Sequence, residues 1–227
     1  MDTTELRSVF PPFEALTEEA RQKLTGQIRL FPFKGKQIIC RAGFTPPGLF
    51  IVKKGKIKIY KINDSAKEII IHIAAEKEMV GYSALVRHSD YHFWAEAIEN
   101  SELIFIPKKI FYELHEGNPR FSNQLMLSFF TEFDNVIDKL VDILSDQVRK
   151  RTAKTLLWLV QTHGLEKDNK TISISLSRND LAHLVATNTE TLVRTLSEFK
   201  KEKIISLKGK KILIGDFDLL NRIVHLP

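Results

Sequence analysis

An α+β chain in three successive parts is what this sequence predicts, and three observations carry the prediction. Single glycines and β-branched residues punctuate the stretch from about Leu30 to Ile106. From Pro119 onward to about Asp146 there is neither Gly nor Pro. Beyond residue 148 short helical and β-like patterns alternate and the charge turns basic.

The chain has 227 residues, 43% apolar and 27% charged, with a net charge of +6. That balance excludes dominant disorder, collagen and repeat architectures. No apolar run reaches the ~18 residues of a membrane span. Met1 to Phe10 carries Asp2 and Glu5 and lacks a basic stretch followed by an apolar core, so no secretory signal is expected and the expected location is cytoplasmic. A lone cysteine, Cys40, excludes an intramolecular disulfide and any cysteine-only metal or iron–sulfur site. Residues 148–227 hold 15 Lys/Arg against 8 Asp/Glu, whereas residues 1–147 hold 19 against 20. A basic excess confined to one end points to a polyanion, nucleic acid before membrane; a solvated basic surface is the alternative.

Pro11 to Leu24 reads as a short helix, with Thr17, Glu18 and Glu19 as cap and acidic first turn. Gly48 to Gly55 is an apolar strand followed by a turn. Lys56 to Ile62 alternates polar-out and apolar-in, Asn63 to Ser65 is a turn, and Glu68 to Ile73 is another strand. Trp94 to Ile106 holds two more around Glu99 to Ser101. Short strands at this spacing predict a sandwich or barrel. Pro119 then opens a long helix. Met126, Phe129, Phe133, Val136, Leu140 and Ile143 recur at heptad spacing, and Phe130, Ile137, Val141 and Leu144 widen the stripe. So wide a stripe has two sides to bury, one on the sheet domain and one on the same helix of a second copy. A monomer with this helix in its core is the alternative.

Arg151 to His163 is a helix ended by Gly164, and Thr171 to Leu176 alternates as a strand. Ser177 caps the next helix, with Asp180 as its N3 acid, and Leu181, Leu184 and Val185 are its buried face. Ala186 to Asn188 is a tight turn, where a small residue lets two helices cross closely. Thr189 to about Lys201 is a second helix burying Leu192, Leu196 and Phe199. Ile204 to Leu207 and Ile212 to Ile214 form a hairpin whose tip, Lys208 to Lys211, is basic. This order is that of a winged helix-turn-helix. Its second helix would present its N-terminal residues to the major groove. Glu190 can accept from cytosine N4 and Arg194 can donate twice to guanine, four residues apart on one face. An ordinary i,i+4 ion pair is the alternative. Ser177, Arg178 and Asn179, at a helix N-terminus, suit phosphates, as do Lys208 and Lys210 on the wing, and Asn188 and Thr189 at the start of the second helix are further candidate DNA contacts.

A β-domain, a long helix and a basic winged helix, in this order over about residues 15–225, resemble the bacterial transcription regulators of the cyclic-AMP receptor protein and fumarate–nitrate regulator superfamily. The most specific stretches are Leu176 to Ala182 and Thr189 to Leu196; the glycines at Gly43 and Gly55 match the family's β-roll turns. The resemblance implies a cyclic-nucleotide-binding-like β-roll (jelly roll), a dimerisation helix and a winged helix-turn-helix. It also implies base reading by Glu190 and Arg194 on a palindrome. A third base-reading position falls on Thr189 or Val193, where neither branch's usual residue stands.

The family's cyclic-nucleotide cassette is altered here. Gly81-Tyr82 stands where the family has Gly-Glu, or else Glu78 takes that place without a preceding glycine. Tyr91 stands at the arginine that holds the cyclic phosphate, and Val136 and Ile137 at the adenine-contacting hydroxyl pair. A cyclic phosphate needs a charge-assisted donor, which Tyr91 and His92 are not near pH 7. Arg87 is the guanidinium nearby in sequence. The expected effector region, for an uncharged or aromatic ligand or for none, comprises Tyr82, Ser83, Tyr91, His92, Val136 and Ile137. Haem would need an axial ligand such as His72, His88 or His92, which show no recognisable spacing.

The resulting expectation is a homodimeric DNA-binding regulator, more often an activator in this family, working with RNA polymerase. It needs double-stranded DNA and has no cofactor, metal or membrane. Residues 1–117 form the effector domain, 118–147 the dimerisation helix and 148–227 the DNA-binding domain. The alternative is a ligand-binding or protein-interaction module without sequence-specific DNA binding. No catalytic fingerprint (Gly-x-Ser-x-Gly, His-Glu-x-x-His, P-loop or dinucleotide motif) is present, so no enzyme is expected.

Overall fold

The computed structural model describes residues 3–225. They form two compact units, Met1–Asn135 and Val136–Pro227, which meet within one long helix.

The first unit opens with α1 (Thr3–Val9), a 3-10 turn at Pro11–Ala15 and α2 (Glu18–Thr25). The single helix expected over Pro11 to Leu24 is thus two pieces. Thr17 is extended and its hydroxyl accepts from the Ala20 amide at 3.2 Å, so the cap is where the sequence placed it and the helix starts only after it. Eight strands follow: β1 (Arg29–Phe33), β2 (Ile38–Cys40), β3 (Gly48–Lys54), β4 (Ile57–Ile62), β5 (Glu68–Ala74), β6 (Met79–Val80), β7 (Trp94–Ala97) and β8 (Ser101–Pro107). A short helix, α3 (Tyr82–Val86), lies between β6 and β7. The strands make two antiparallel sheets, ordered β1-β8-β3-β6 and β2-β7-β4-β5. One core gathers Cys40, Phe50, Val52, Ile57, Val80, Tyr91, Ala95 and Leu103. The outer face of the first sheet carries a second core, with Leu49, Ile51, Ile104 and Ile106 packed on Phe10, Phe13 and Phe111.

Strand β4 keeps the expected alternation: Ile57 and Ile59 pack on the roll core opposite Ala97 and Ala95, and Lys58 lies on the other face opposite Glu96. Lys58 is nevertheless buried there, with Nζ 2.7 Å from Glu68 Oε2, 3.6 Å from Glu96 Oε1 and 4.5 Å from the Tyr60 ring centre, so two carboxylates and an aromatic face surround its ammonium. The register of β4 on β5 shifts between Ile59 and Tyr60, where Ile71 of β5 is left without a partner.

Helix α4 (Lys108–Gly117) leads into α5 (Pro119–Ser145). Phe121 and Leu125 are fully buried in the second core and Phe129 packs on its margin. Phe129 was expected on the pairing seam; its ring lies 6.1 Å from that of Tyr82, on its own domain. The other seam residues, Met126, Phe133, Val136, Leu140 and Ile143, are exposed, as are Phe130, Ile137, Val141 and Leu144.

The second unit continues from α5 into α6 (Val148–His163), then α7 (Arg178–Val185), α8 (Thr189–Lys201), β9 (Ile205–Lys208), β10 (Lys211–Ile214) and α9 (Phe217–His225). The strand expected over Thr171 to Leu176 does not form. Only isolated bridges Leu165–Ile172 and Thr171–Leu213 are made; just before them the Asp168 carboxylate accepts from the Lys170 and Thr171 amides at 3.0 and 2.8 Å and closes a side-chain-capped turn.

Candidate nucleic-acid interface and effector region

The helix-turn-helix is built from local chemistry. Ser177 Oγ accepts from the Asp180 amide at 3.0 Å and donates to the Asp180 carboxylate at 2.6 Å, which closes the N-terminus of α7. Leu181, Leu184 and Val185 are buried. The turn is made by Ala186, whose φ of +56° places it in the left-handed region. Its small side chain therefore serves the backbone: the fewer the Cβ substituents, the less this conformation costs. Asn188 caps α8, its side chain accepting from the Thr191 amide at 2.8 Å. Leu192, Leu196 and Phe199 turn inward.

Glu190 and Arg194 are exposed, and among the described residues neither has an ion-pair partner within 4.0 Å. The ordinary i,i+4 pair is not made, and both heads are left to external partners. Thr189, at the start of α8, is half-buried and its hydroxyl lies 3.4 Å from Asn179 Oδ1. In the hairpin, Lys208 faces Lys211 across a two-residue turn, Gly209 and Lys210, with Gly209 at φ +60°. Lys208 and Lys210 are exposed, while Lys211 is held by Glu166 at 2.6 Å.

Two of the residues expected at phosphates have partners within the chain. The Ser177 hydroxyl is spent on its own cap. Arg178 Nη2 and Nη1 donate to the Gly209 and Lys210 carbonyls at 2.9 and 3.3 Å, so this guanidinium first of all ties the wing tip to α7. Asn179 remains exposed.

Other arginines that organise this unit had no signal in the sequence. Arg151, on α6, donates to the carbonyls of Asp146, Val185 and Ala186 at 2.7, 3.0 and 3.0 Å and so clamps the turn between α7 and α8. Arg149 pairs with Glu202 at 2.6 Å and lies 4.8 Å over the Phe199 ring, which fixes the far end of α8. Lys154 bridges Asp142 and Asp146. Apart from the contacts to Asp146, these partners are too far apart in sequence for any spacing rule.

Within the first unit, the expected effector residues Tyr82 and Ser83 lie apart from Tyr91. Tyr91 is 3% exposed and fills the roll interior. It lies against Gly81, where an added Cβ would stand 3.0 Å from the Tyr91 ring, and Gly81 itself has φ +98°. The Tyr91 hydroxyl meets the buried Cys40 thiol; burial pushes the thiol up to about 12 and the phenol upward as well, so both stay neutral. His92 is exposed. Tyr82 and Ser83 instead line a cleft of about 630 Å³ among α3, α4 and the first turns of α5, together with Arg87, His115, Met126 and Phe129. Val136 and Ile137 are exposed on α5, in the second unit. Of the histidines weighed as haem ligands, His72 bonds Glu78 at 2.5 Å and His88 stacks on Tyr112. Tyr91, which the resemblance sets at the arginine position of the cyclic-nucleotide cassette, is a neutral, buried phenol.

These elements define a class: a winged helix-turn-helix DNA-binding protein joined through a long helix to an antiparallel β-roll. Comparison with known proteins makes it narrower. Residues 30–118 match the family model of the cyclic nucleotide-binding domain, and residues 150–223 that of the Crp-like helix-turn-helix domain. The chain belongs to the Crp/Fnr superfamily and is a DNA-binding transcription regulator. It is 28% identical over 189 residues to electron transport regulator A of Shewanella oneidensis, covering 83% of this chain and 75% of that one. It is 24% identical over 211 residues to a CRP-like cAMP-activated global transcriptional regulator of Mycobacterium tuberculosis, covering 92% and 94%. In fold it is similar to a Crp/Fnr-family transcriptional regulator from Eubacterium rectale, with a TM-score of 0.78, 21% identity and coverage of 96% and 100%.

Proposed function

We propose that this regulator acts as a homodimer on a palindromic site. Glu190 and Arg194 read base edges, Lys208 and Lys210 hold phosphates, and transcription is activated through RNA polymerase without cyclic AMP and without catalysis. The observation that carries this reading is the pair of exposed, unpartnered heads of Glu190 and Arg194 on the first turns of α8, beside an exposed lysine hairpin. A groove-facing helix needs free donors and acceptors at its N-terminal end, and a neighbouring basic wing supplies the register. The exposed seam of Met126, Phe133, Val136, Leu140 and Ile143 supports the homodimer, since a contiguous apolar stripe of this size asks for cover. Residues 1–117 are then the effector domain, 118–147 the dimerisation helix and 148–227 the DNA-binding domain. The Mycobacterium tuberculosis relative is described as cAMP-activated. Here Tyr91 argues against that control, and an effector, where one is used, contacts Tyr82 and Ser83 in the cleft beside α5.

The test is retention of sheared host DNA by the purified protein, with and without cyclic AMP, followed by sequencing. One palindrome is expected in both conditions. Retention only with cyclic AMP overturns the effector reading, and no enrichment moves weight to a protein-docking module. On the recovered site Arg194→Ala is expected to cost ~1–3 kcal/mol and to relax specificity at one base pair.

A further inference from the structure

The cleft of about 630 Å³ beside α5 draws its walls from three helices of the first unit, and the size is that of a small-molecule site. From α3 and its C-cap come Tyr82 and Val86, four residues apart, and Ser83 and Arg87, also four apart, so an apolar row and a polar row run side by side. From α4 come His115 and Glu116, and from α5 Met126 and Phe129. The Tyr82 ring centre lies 6.1 Å from that of Phe129 and 6.5 Å from that of His115, so much of the lining is aromatic. Val86 and Met126 add apolar surface that is exposed. The Ser122 hydroxyl is spent on the His115 carbonyl, but the other polar groups are not. Among the described residues, Arg87 and Glu116 are exposed and make no ion pair, with each other or with any third residue. The hydroxyl of Tyr82, a residue only 9% exposed, has no hydrogen-bond partner there. One apolar cleft thus holds a free guanidinium and a free carboxylate. A purely anionic ligand meets Glu116 as a like charge, and a purely cationic one meets Arg87. A ligand carrying both charges answers both.

We infer that this cleft binds an apolar amino acid as a zwitterion, with its carboxylate on Arg87, its ammonium on Glu116 and its side chain against Tyr82, Met126 and Phe129. An aromatic side chain suits these walls best, since ring pairs gain beyond the area they bury. The inference rests on the proposed reading of the cleft as the effector site and gives that site a ligand class. Met126 also stands on the exposed apolar stripe of α5, so the ligand would cover part of the helix proposed to pair, which links occupancy to DNA binding.

The test is titration calorimetry of the full-length protein with three probes. They are L-phenylalanine, 3-phenylpropionate, which lacks the ammonium, and 2-phenylethylamine, which lacks the carboxylate. Loss of one charge-assisted contact should weaken binding about tenfold, so both analogues should bind about tenfold more weakly than L-phenylalanine. Arg87→Gln should bring the ratio of L-phenylalanine to 2-phenylethylamine close to one and keep the preference over 3-phenylpropionate. Glu116→Gln should do the reverse. Both side chains are exposed, so loss of fold does not confound the result. An analogue that binds as tightly as L-phenylalanine, no binding by any of the three, or a selectivity left unmoved by either variant overturns the inference. DNA binding is then titrated on the palindrome recovered from genomic DNA. L-phenylalanine should change the affinity of the wild type and, at the same concentration, leave that of Arg87→Gln unchanged. If L-phenylalanine binds with the expected selectivity but leaves wild-type DNA affinity unchanged, the effector reading falls while the amino-acid site stands, so the two failures are distinguishable.

Discussion

Replacing Arg151 by Ala removes three charge-assisted hydrogen bonds at once, to the carbonyls of Asp146, Val185 and Ala186. Bonds to a charged donor contribute ~1.5–3 kcal/mol each, and those sharing one guanidinium are not additive. The site is part-buried, so water takes over some of the freed carbonyls. A loss of about 3 kcal/mol from the unit beyond Asn135 is expected. For a unit of this size, with a urea slope of ~1 kcal/mol/M, the midpoint should fall by roughly 2–3 M. The two tryptophans, Trp94 and Trp158, lie in different units, so a Trp94→Phe background leaves Trp158 on α6 as the fluorescent reporter. The Ala186 carbonyl belongs to the residue at φ +56°, so its loss should also free the orientation of α8 and weaken DNA binding. Arg151→Lys should recover less than half of the stability, because an ammonium cannot reach three carbonyls in the fork geometry of a guanidinium. A midpoint within 0.5 M of the parent would refute the clamp, as would full recovery by Lys.

Leu140→Glu, on the exposed face of α5, should convert the proposed dimer to monomer in sedimentation velocity with little change in helix content; Phe121→Ala, in the core, should instead cost ~3–5 kcal/mol of stability. Burial raises the Glu132 carboxyl from 4.5 to about 7; nearby His72 opposes the rise and Glu78 adds to it. A raised folded pKa favours the protonated form, so its contribution is present below pH 4.5 and is lost as pH rises to about 7. The thermal midpoint of the parent should accordingly fall over this window relative to Glu132→Gln, and parallel pH profiles would contradict it. Lys208→Ala with Lys210→Ala should lower DNA affinity alike on specific and random sequence and reduce the salt slope by about 2; an unchanged slope would remove the wing from the phosphates.

What the sequence by itself determined was everything that repeats or sits within a few residues of its cause. The heptad spacing from Met126 to Ile143, the Ser177 and Asn188 caps, the buried faces of α7 and α8 and the Lys-Gly-Lys hairpin are all local patterns, and local patterns survive into the structure because the backbone enforces them. The family followed from their order. The tertiary structure decided what depends on partners distant in the chain. On the face of β4 turned away from the roll core, Lys58 is buried against Glu68 and Glu96 of the neighbouring strands. Thr171 and Ile172 found only single bridges, to Leu213 and Leu165, and the expected strand did not form. Tyr91 moved into the roll interior while Tyr82 and Ser83 faced a separate cleft, although all three read from sequence as one pocket. Arg151 and Arg178 became struts of the DNA-binding unit through carbonyls more than 30 residues away. Periodicity reports which face of an element is apolar, but the direction a charged or hydroxyl head takes is set by the donors and acceptors that folding brings to it.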